Sequence, residues 1–287
     1  MNRAVADAVG ALWGVDVTAG VPLTGGEDSE VWRCGGHVLR VHPEGVPPEE
    51  VAWCQAWASA VAATVPEVLL PLRSRDGTTL AVAQGCVLEV VPFVPGEPLD
   101  PRDAAQRRQA VDLLVRLTDA ADRLDLGERP GWGGLRWDEA GWTEASGLPD
   151  HELDDFWQGW SKEAAAGRRP LHADLQQGNL VVRDGRIVAL LDHDDARVMH
   201  PLEELAYTAG ELARMDGSWR LDRPLWQAVL ADYAERTGVA VNESTVRALL
   251  RVQLRWWVGL GLHPADPDPA DAVIHAALFG DLRHPLP

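Results

Sequence analysis

The stretch LHADLQQGNLVVRDGRIVALLDHDDA, residues 171–196, decides the fold. Its centre consists of two apolar runs around Asp184-Gly185, and an Asp-Gly pair in such a setting predicts a two-residue β-hairpin turn. Polar side chains flank this hairpin on both sides, namely His172, Asp174, Asn179, Asp192, Asp194 and Asp195. At roughly 3.3 Å per residue, the hairpin brings Asn179 and Asp192 to its open end, close enough to share one cation. Amide and carboxylate oxygens are ligands that Mg²⁺ takes together with substrate phosphates.

The order of these polar residues matches the arrangement of kinases, in which an Asp and an Asn precede a hairpin and a metal-binding Asp follows it. The motifs HADLQQGN (172–179) and LLDHDDA (190–196) resemble those of the aminoglycoside phosphotransferase and choline kinase superfamily of small-molecule kinases. The resemblance implies that Asp174 orients the acceptor hydroxyl. It also implies that Asn179 and Asp192 bind Mg²⁺ and that ATP, or GTP, is the phosphoryl donor.

The N-terminal third also resembles this superfamily. The segment PLTGGEDSEVWRC (22–34) is similar to its phosphate-covering loop, in which Gly25 and Gly26 allow close backbone approach and Ser29 donates to a phosphate. Arg40 stands where these kinases carry a basic residue that clamps the α- and β-phosphates, and the resemblance makes Glu50 its partner. Since Lys162 is the only lysine, either an arginine fills this role or no residue does, and Arg40 is the expected one.

The resemblance also places the adenine at a hinge around residues 91–94. Pro92 has no N–H to donate, so Val91 or Phe93 is expected to supply the hydrogen bond to the base. A further stretch, HPLEELA (200–206), resembles a family segment that buttresses the catalytic loop, with two acids of that pattern replaced by His200 and Glu204. Ala173 stands at a usual glycine, which is a mild change if its φ is negative.

The remaining pattern predicts an α+β, bilobal protein-kinase-like fold. Short β-runs at 30–34, 37–42, 68–74, 78–83 and 87–94, and one helix opened by Pro47 and Pro48, predict a small antiparallel sheet in an N-terminal nucleotide-binding lobe, residues 1–93. Pro92, Pro95 and Gly96 mark a hinge at about 90–96. Helical patterns at 102–125, 151–166, 203–214, 223–237 and 243–262 predict a larger, mainly helical lobe over 94–287 that carries the hairpin.

The composition and net charge of the chain limit the kinds of partner that it can bind. The 287-residue chain carries 26 basic and 44 acidic residues, a net charge of −18. Such a charge argues against binding to nucleic acid or to an anionic membrane and favours a cationic small molecule. The three cysteines form no C-x-x-C pair, and neither a signal peptide nor an 18-residue apolar run is present. We therefore expect a cytoplasmic protein that does not bind membranes.

The acceptor is the least determined part of this interpretation. Candidate contacts are the acids in HELDDFW (151–157) and HPADPDPAD (263–271), Asp155 and Asp268 among them, together with Asp194 and Trp257. They would suit a polycationic acceptor, such as an aminoglycoside antibiotic in a resistance enzyme. The alternative is that both acidic clusters are solvated caps and loops.

Other functions stay open at this point. The chain is also compatible with a kinase of a choline-like amine, sugar or amino alcohol, or with a catalytically weak nucleotide-binding regulatory module. A metal hydrolase would use a cluster of histidines and aspartates, drawn from His172, Asp174, Asp192, His193 and His200. The sequence lacks the closely spaced pair of histidines on one helix or strand that metal-hydrolase sites normally have.

Overall fold

The N-terminal sheet contains two strands that are joined by Gly35-Gly36. The computed structural model of this chain describes residues 2–23, 29–131, 145–214, 220–262 and 269–282. Gly35 has a φ of 62°, which a residue without a side chain adopts easily. The sheet is antiparallel in the order β1-β2-β3-β5-β4. Its strands are β1 (Val21–Pro22), β2 (Glu30–Cys34), β3 (His37–Val41), β4 (Leu80–Ala83) and β5 (Cys86–Pro92). The run at 68–74 does not join it; Val68 instead forms a single parallel bridge with Leu190.

Two helices, rather than the one predicted, accompany this sheet. Helix α1 (Arg3–Trp13) begins at Asn2, whose side chain accepts the Ala4 N–H at 2.9 Å, and it contributes to the core of the small sheet. Helix α2 (Pro48–Val61) begins at the predicted prolines. Its Trp57 is fully buried in the core of the C-terminal part and donates to the Pro170 carbonyl oxygen at 3.0 Å. Helix α2 therefore connects the sheet to the helical part.

The predicted hairpin is present as β8 (Leu180–Arg183) and β9 (Arg186–Leu190). Asp184 and Gly185 have φ values of 52° and 73°, the left-handed pair that a type I′ turn requires. Strand β6 (Glu97–Pro98) extends this hairpin to a three-stranded sheet. Strand β7 (Arg169–Leu171) and strand β10 (Arg197–Met199) form a separate antiparallel pair.

Helices form the rest of the described C-terminal part. They are α3 (Ala104–Ala121), α4 (His151–Glu163), α5 (Pro201–Ala213), α6 (Arg223–Thr237), α7 (Glu243–Gly261) and α8 (Pro269–Asp281). All except α8 follow the predicted helical patterns. The α+β class, with a small antiparallel sheet and a mainly helical part carrying the hairpin, is confirmed. Among the helices in the described ranges, none has an apolar stretch that could cross a lipid bilayer.

Candidate active site

A cleft of about 480 Å³ lies between the N-terminal sheet and the open end of the hairpin. Most of the side chains predicted for the site line it: Ser29, Arg40, Val91, Phe93, Asp174, Asn179, Asp192 and Asp194. They come from five separate segments of the chain. The fold therefore gathers into one cleft the residues that the sequence motifs single out.

Asp174 is held by three side chains. Tyr207 donates its hydroxyl to Asp174 Oδ1 at 2.8 Å, Asn179 donates its amide to Oδ2 at 2.6 Å, and Gln176 lies 3.3 Å from both oxygens. Burial, and then the negative charge of Asp195, raise the pKa of Asp174 well above its usual range. Tyr207 is a positioning residue that the sequence analysis missed, because it lies on α5, beyond the motifs.

The loop that carries Asp174 adopts, at Ala173, a conformation that alanine does not favour. Ala173 has a φ of 64°, so the condition under which its replacement of the usual glycine would be a mild change is not met. Its N–H donates to the Glu204 carboxylate at 2.9 Å, and this buried contact fixes the left-handed turn. A non-glycine residue in this region carries a strain of roughly 1–2 kcal/mol.

This strain predicts an unusual response to glycine. Ala173→Gly and the control Ala189→Gly, on β9, both remove a methyl group that is 1% exposed, but only the first relieves a positive φ. We expect Ala173→Gly to be more stable than Ala189→Gly by about 1–2 kcal/mol. Urea unfolding of both variants measures the difference. Equal losses of stability would show that the loop carries no strain at this position.

His200 and Glu204, which replace two acids of the family pattern, both make hydrogen bonds that stabilise neighbouring backbone. His200 caps α5, since its Nδ1 accepts the Leu202 N–H at 3.1 Å while Glu203 accepts the His200 N–H at 3.2 Å. Glu204 is fully buried and supports Ala173 as described, and burial raises its pKa to about 7. The segment HPLEELA therefore supports the loop that carries Ala173 and Asp174, as its resemblance to the family implies.

Asn179 and Asp192 present oxygen atoms at the open end of the hairpin. The Leu191 N–H donates to the Asn179 carbonyl oxygen at 2.8 Å, which places Asp192 one residue away from this pair. The Asn179 amide nitrogen is engaged by Asp174, so its Oδ1 is the atom left to accept a ligand. Burial works to raise the pKa of Asp192, but the Arg40 guanidinium, the Asp194 N–H and smaller neighbouring contributions together hold the pKa below its usual value. A neutral amide oxygen and an ionised carboxylate fit a hard divalent cation.

Arg40 is surrounded by acids, but Glu50 is not among them. Its guanidinium lies 3.1 Å from Glu89, 2.9 Å from Asp192 and 2.7 Å from Asp194. The predicted pair of Arg40 and Glu50 is therefore wrong. The reason is strand register, because Arg40 on β3 lies directly opposite Glu89 on β5.

Glu89 belongs to a buried polar network beside the cleft. It accepts a hydrogen bond from Gln55 at 2.8 Å and lies 3.5 Å from the His42 ring. Although burial opposes it, contact with His42 and the charge of Arg40 lower the pKa of Glu89 to about 2. Its charge therefore persists at neutral pH. The sequence carries no motif around Glu89, and only its register opposite Arg40 shows its importance.

The hinge offers different backbone groups from those predicted. The Phe93 N–H donates to the carbonyl oxygen of Gly36, which directly precedes β3, at 2.9 Å. Val91, two residues before Phe93, is paired with Val38 of β3. Both N–H groups are thus used within the sheet, so the prediction that either contacts adenine is wrong. Pro92 lies between these two hydrogen-bonded positions, so its carbonyl points away from β3, and both Pro92 and Val94 line the cleft.

Among the other acceptor candidates, Asp155 and Trp257 do not line this cleft. Asp155 is exposed on α4. Trp257 stacks on His275 at 6.0 Å between ring centroids and packs edge-on against Trp256. Gly25, Gly26 and Asp268 lie outside the described residues.

The histidines of the hydrolase interpretation are occupied by structural hydrogen bonds. His172 Nε2 lies 3.2 Å from both the Leu191 carbonyl oxygen and His193 Nδ1, and His193 Nε2 lies 2.9 Å from the Leu69 carbonyl oxygen. Burial, and then His193, lower the pKa of His172 to about 3, so the ring is neutral. His200 caps a helix. These rings hold the loops in place, which disfavours a hydrolytic metal centre.

Comparison with known proteins identifies the family. Residues 20–249 match the model of the phosphotransferase enzyme family. The chain belongs to this family. The predicted resemblance and enzyme class, a small-molecule kinase, are thereby confirmed. No curated protein matches the sequence.

Solved structures share the fold of this phosphotransferase at low sequence identity. An amicoumacin kinase, solved in complex with AMP-PNP and Ca²⁺, is 13% identical with a TM-score of 0.70, covering 97% of this chain and 92% of its own. A microcompartment-associated aminopropanol kinase is 18% identical with a TM-score of 0.71, covering 97% and 95%. A spectinomycin phosphotransferase, solved with ADP and spectinomycin, is 12% identical with a TM-score of 0.66, covering 98% and 94%. The kinase-like fold is confirmed.

Proposed function

We propose that this phosphotransferase transfers the γ-phosphoryl group of ATP to a hydroxyl group of a small molecule in a Mg²⁺-dependent reaction. The observation that carries the proposal is the convergence of Asp174, Asn179, Asp192 and Arg40 on one cleft. Phosphoryl transfer needs positioning and charge neutralisation rather than a covalent intermediate. These four side chains supply a hydroxyl-orienting carboxylate, two oxygen ligands and a cation.

The nucleotide phosphates would lie between Arg40 and Ser29. Ser29 Oγ is buried and has no hydrogen-bond partner among the described residues, so its hydroxyl is available to a phosphate oxygen. Asn179 Oδ1 and the Asp192 carboxylate would hold Mg²⁺. When bound, this ion neutralises charge on the β- and γ-phosphates. Arg40 would exchange part of its contact with Asp192 and Asp194 for the phosphates, which a planar guanidinium can grip through two N–H groups.

The hinge favours ATP over GTP. An acceptor at the Pro92 carbonyl and a donor at the Val94 N–H complement the adenine edge, which offers the N6 amino group and the N1 lone pair. Guanine offers the reverse order, a carbonyl oxygen and an N–H. We assign nucleotide binding to residues 1–93, a hinge to about 90–96, and catalysis and acceptor binding to residues 94–287.

Asp174 would act on the acceptor. Its carboxylate is fixed by Tyr207 and Asn179, and it does not need to ligate the metal. In this place it accepts the hydrogen bond of the acceptor hydroxyl and directs the oxygen toward the γ-phosphorus. It takes the hydroxyl proton as the new O–P bond forms and the bond between the γ-phosphorus and the bridging oxygen breaks to release ADP. Its raised pKa suits a group that receives a proton.

We propose a cationic acceptor, an amino alcohol or a basic antibiotic. Asp194 and Asp195 line the same cleft as Asp174, and the chain has a net charge of −18. The fold neighbours named above act on amicoumacin, aminopropanol and spectinomycin, which makes both classes worth testing. The free thiols of Cys34, Cys54 and Cys86 suit a reducing cytoplasm.

An acceptor panel read by ADP release tests the proposed function. Aminoglycosides, other basic antibiotics, amino alcohols, choline and neutral sugars are each offered with Mg·ATP, and the product is checked by mass for one added phosphoryl group. We expect a basic acceptor to stimulate ADP release well above the rate with water alone. A protein that binds Mg·ATP but phosphorylates no compound would instead be a nucleotide-binding regulatory module.

A further inference from the structure

Glu50 and Arg129 form a buried connection between helix α2 and the loop that follows Asp192. Arg129 Nη2 donates to Glu50 Oε2 at 3.3 Å. Arg129 Nη1 donates to the carbonyl oxygen of Asp194 and, at 3.4 Å, to that of Ala196. Arg129 is only 8% exposed. One guanidinium therefore joins a helix of the N-terminal part to the backbone of residues 192–196, which we call the metal loop.

The backbone beside Arg129 is shaped around the Glu50 carboxylate. Gly131 has a φ of 78°, and a Cβ atom placed there would lie 1.8 Å from Glu50 Oε1. The carboxylate thus occupies the space that any other residue at position 131 would fill. Glu49, in the preceding position of the same helical turn, is exposed. The close fit is specific to Glu50.

Arg40 does not need Glu50, since Glu89 already accepts its hydrogen bond at 3.1 Å on the neighbouring strand. We propose that Glu50 and Arg129 are positioning residues for the metal loop, and that Glu50 acts on metal binding through Arg129 rather than on the nucleotide through Arg40. The inference rests on the proposed function, in which Asp192 holds Mg²⁺. Two different acids then carry out the two positioning tasks. Glu89 positions Arg40 for the phosphates, and Glu50, through Arg129, positions Asp192 for the metal.

The physical basis is the charge-assisted hydrogen bond between Glu50 and the buried Arg129 guanidinium. With Glu50 neutralised, Arg129 would lose the charged partner that holds its guanidinium against the Asp194 and Ala196 carbonyl oxygens. The Asp194 and Ala196 carbonyls would lose their donor, and the loop that carries Asp192 would lose its fixed conformation. Groups that orient a metal ligand typically change metal affinity tenfold to a hundredfold when they are removed.

Calorimetric titration with ADP, in the presence of Mg²⁺ and in the presence of EDTA, tests this inference on the full-length chain. The variants are Glu50→Gln and Arg129→Lys, and Glu49→Gln is the matched control. We expect both test variants to lose about tenfold or more in affinity for Mg·ADP, with metal-free ADP affinity within about twofold of the wild type. We expect the control to match the wild type in both titrations.

Two results would overturn the inference. The first is a Glu50→Gln variant that binds Mg·ADP as tightly as Glu49→Gln does. The second is an equal loss of affinity with and without Mg²⁺, which would mean that Glu50 acts on the nucleotide itself. If Arg129→Lys fails to fold by circular dichroism, Glu50→Gln decides alone. A wild-type protein that binds ADP in neither condition would instead overturn the proposed function, and the inference with it.

Discussion

The Asp174→Asn variant is expected to lose phosphoryl transfer by about 10²–10⁴-fold while keeping its affinity for Mg·ATP. The amide cannot take the proton of the acceptor hydroxyl. The substitution nevertheless fits the site, because the amide oxygen can accept from Asn179 while its NH₂ group donates to Tyr207, whose hydroxyl can accept as well as donate. Single-turnover transfer to the best acceptor and calorimetric titration with a non-hydrolysable ATP analogue measure the two quantities.

Asp184→Asn is the matched control for this change. Asp184 lies at the exposed turn of the hairpin that follows Asp174, and its substitution likewise removes one carboxylate charge. We expect wild-type transfer and binding from it. If Asp174→Asn retained more than a tenth of the wild-type rate, Asp174 would not be the group that handles the acceptor hydroxyl. If it lost Mg·ATP binding instead, Asp174 would belong to the nucleotide or metal site.

The Asp192→Asn variant is expected to lose affinity for Mg·ADP by about tenfold to a hundredfold, in the range found when a group that fixes a metal ligand is lost, and with it nearly all transfer. Its metal-free ADP affinity should not fall, because Arg40 loses one of its three acidic partners and is freer to contact phosphate. Asparagine is preferred to alanine here because Asp192 has a φ of 53°, which asparagine adopts more readily. Calorimetric titrations with ADP, with and without Mg²⁺, measure both effects.

The same control applies to Asp192, since Asp184 has a φ of 52° and therefore faces the same backbone requirement. Unchanged Mg·ADP affinity in Asp192→Asn would exclude Asp192 as a metal ligand. An equal loss of metal-free and Mg²⁺-dependent affinity would point to a disturbed Arg40 clamp, because Arg40 also contacts Asp192.

The hairpin of β8 and β9 could be predicted from the sequence because its signals are local. Asp184-Gly185 selects a tight turn, and that turn alone brings Asn179 and Asp192 to the same end of two short strands. Helices α2 to α7 follow from apolar spacing and from proline or cap residues at their starts. The family motifs over 172–196 added the expected roles, and the match over residues 20–249 confirmed the family.

Only the tertiary structure determined the partners of the charged groups. Arg40 pairs with Glu89 because strands β3 and β5, more than forty residues apart in sequence, meet in that register, and no turn signal fixes it. Glu50 pairs with Arg129 because α2 packs against the C-terminal core. The positive φ of Ala173 and the used N–H of Phe93 likewise depend on distant contacts. Short-range sequence determines which elements form, whereas ion pairs and free backbone groups depend on how those elements pack together.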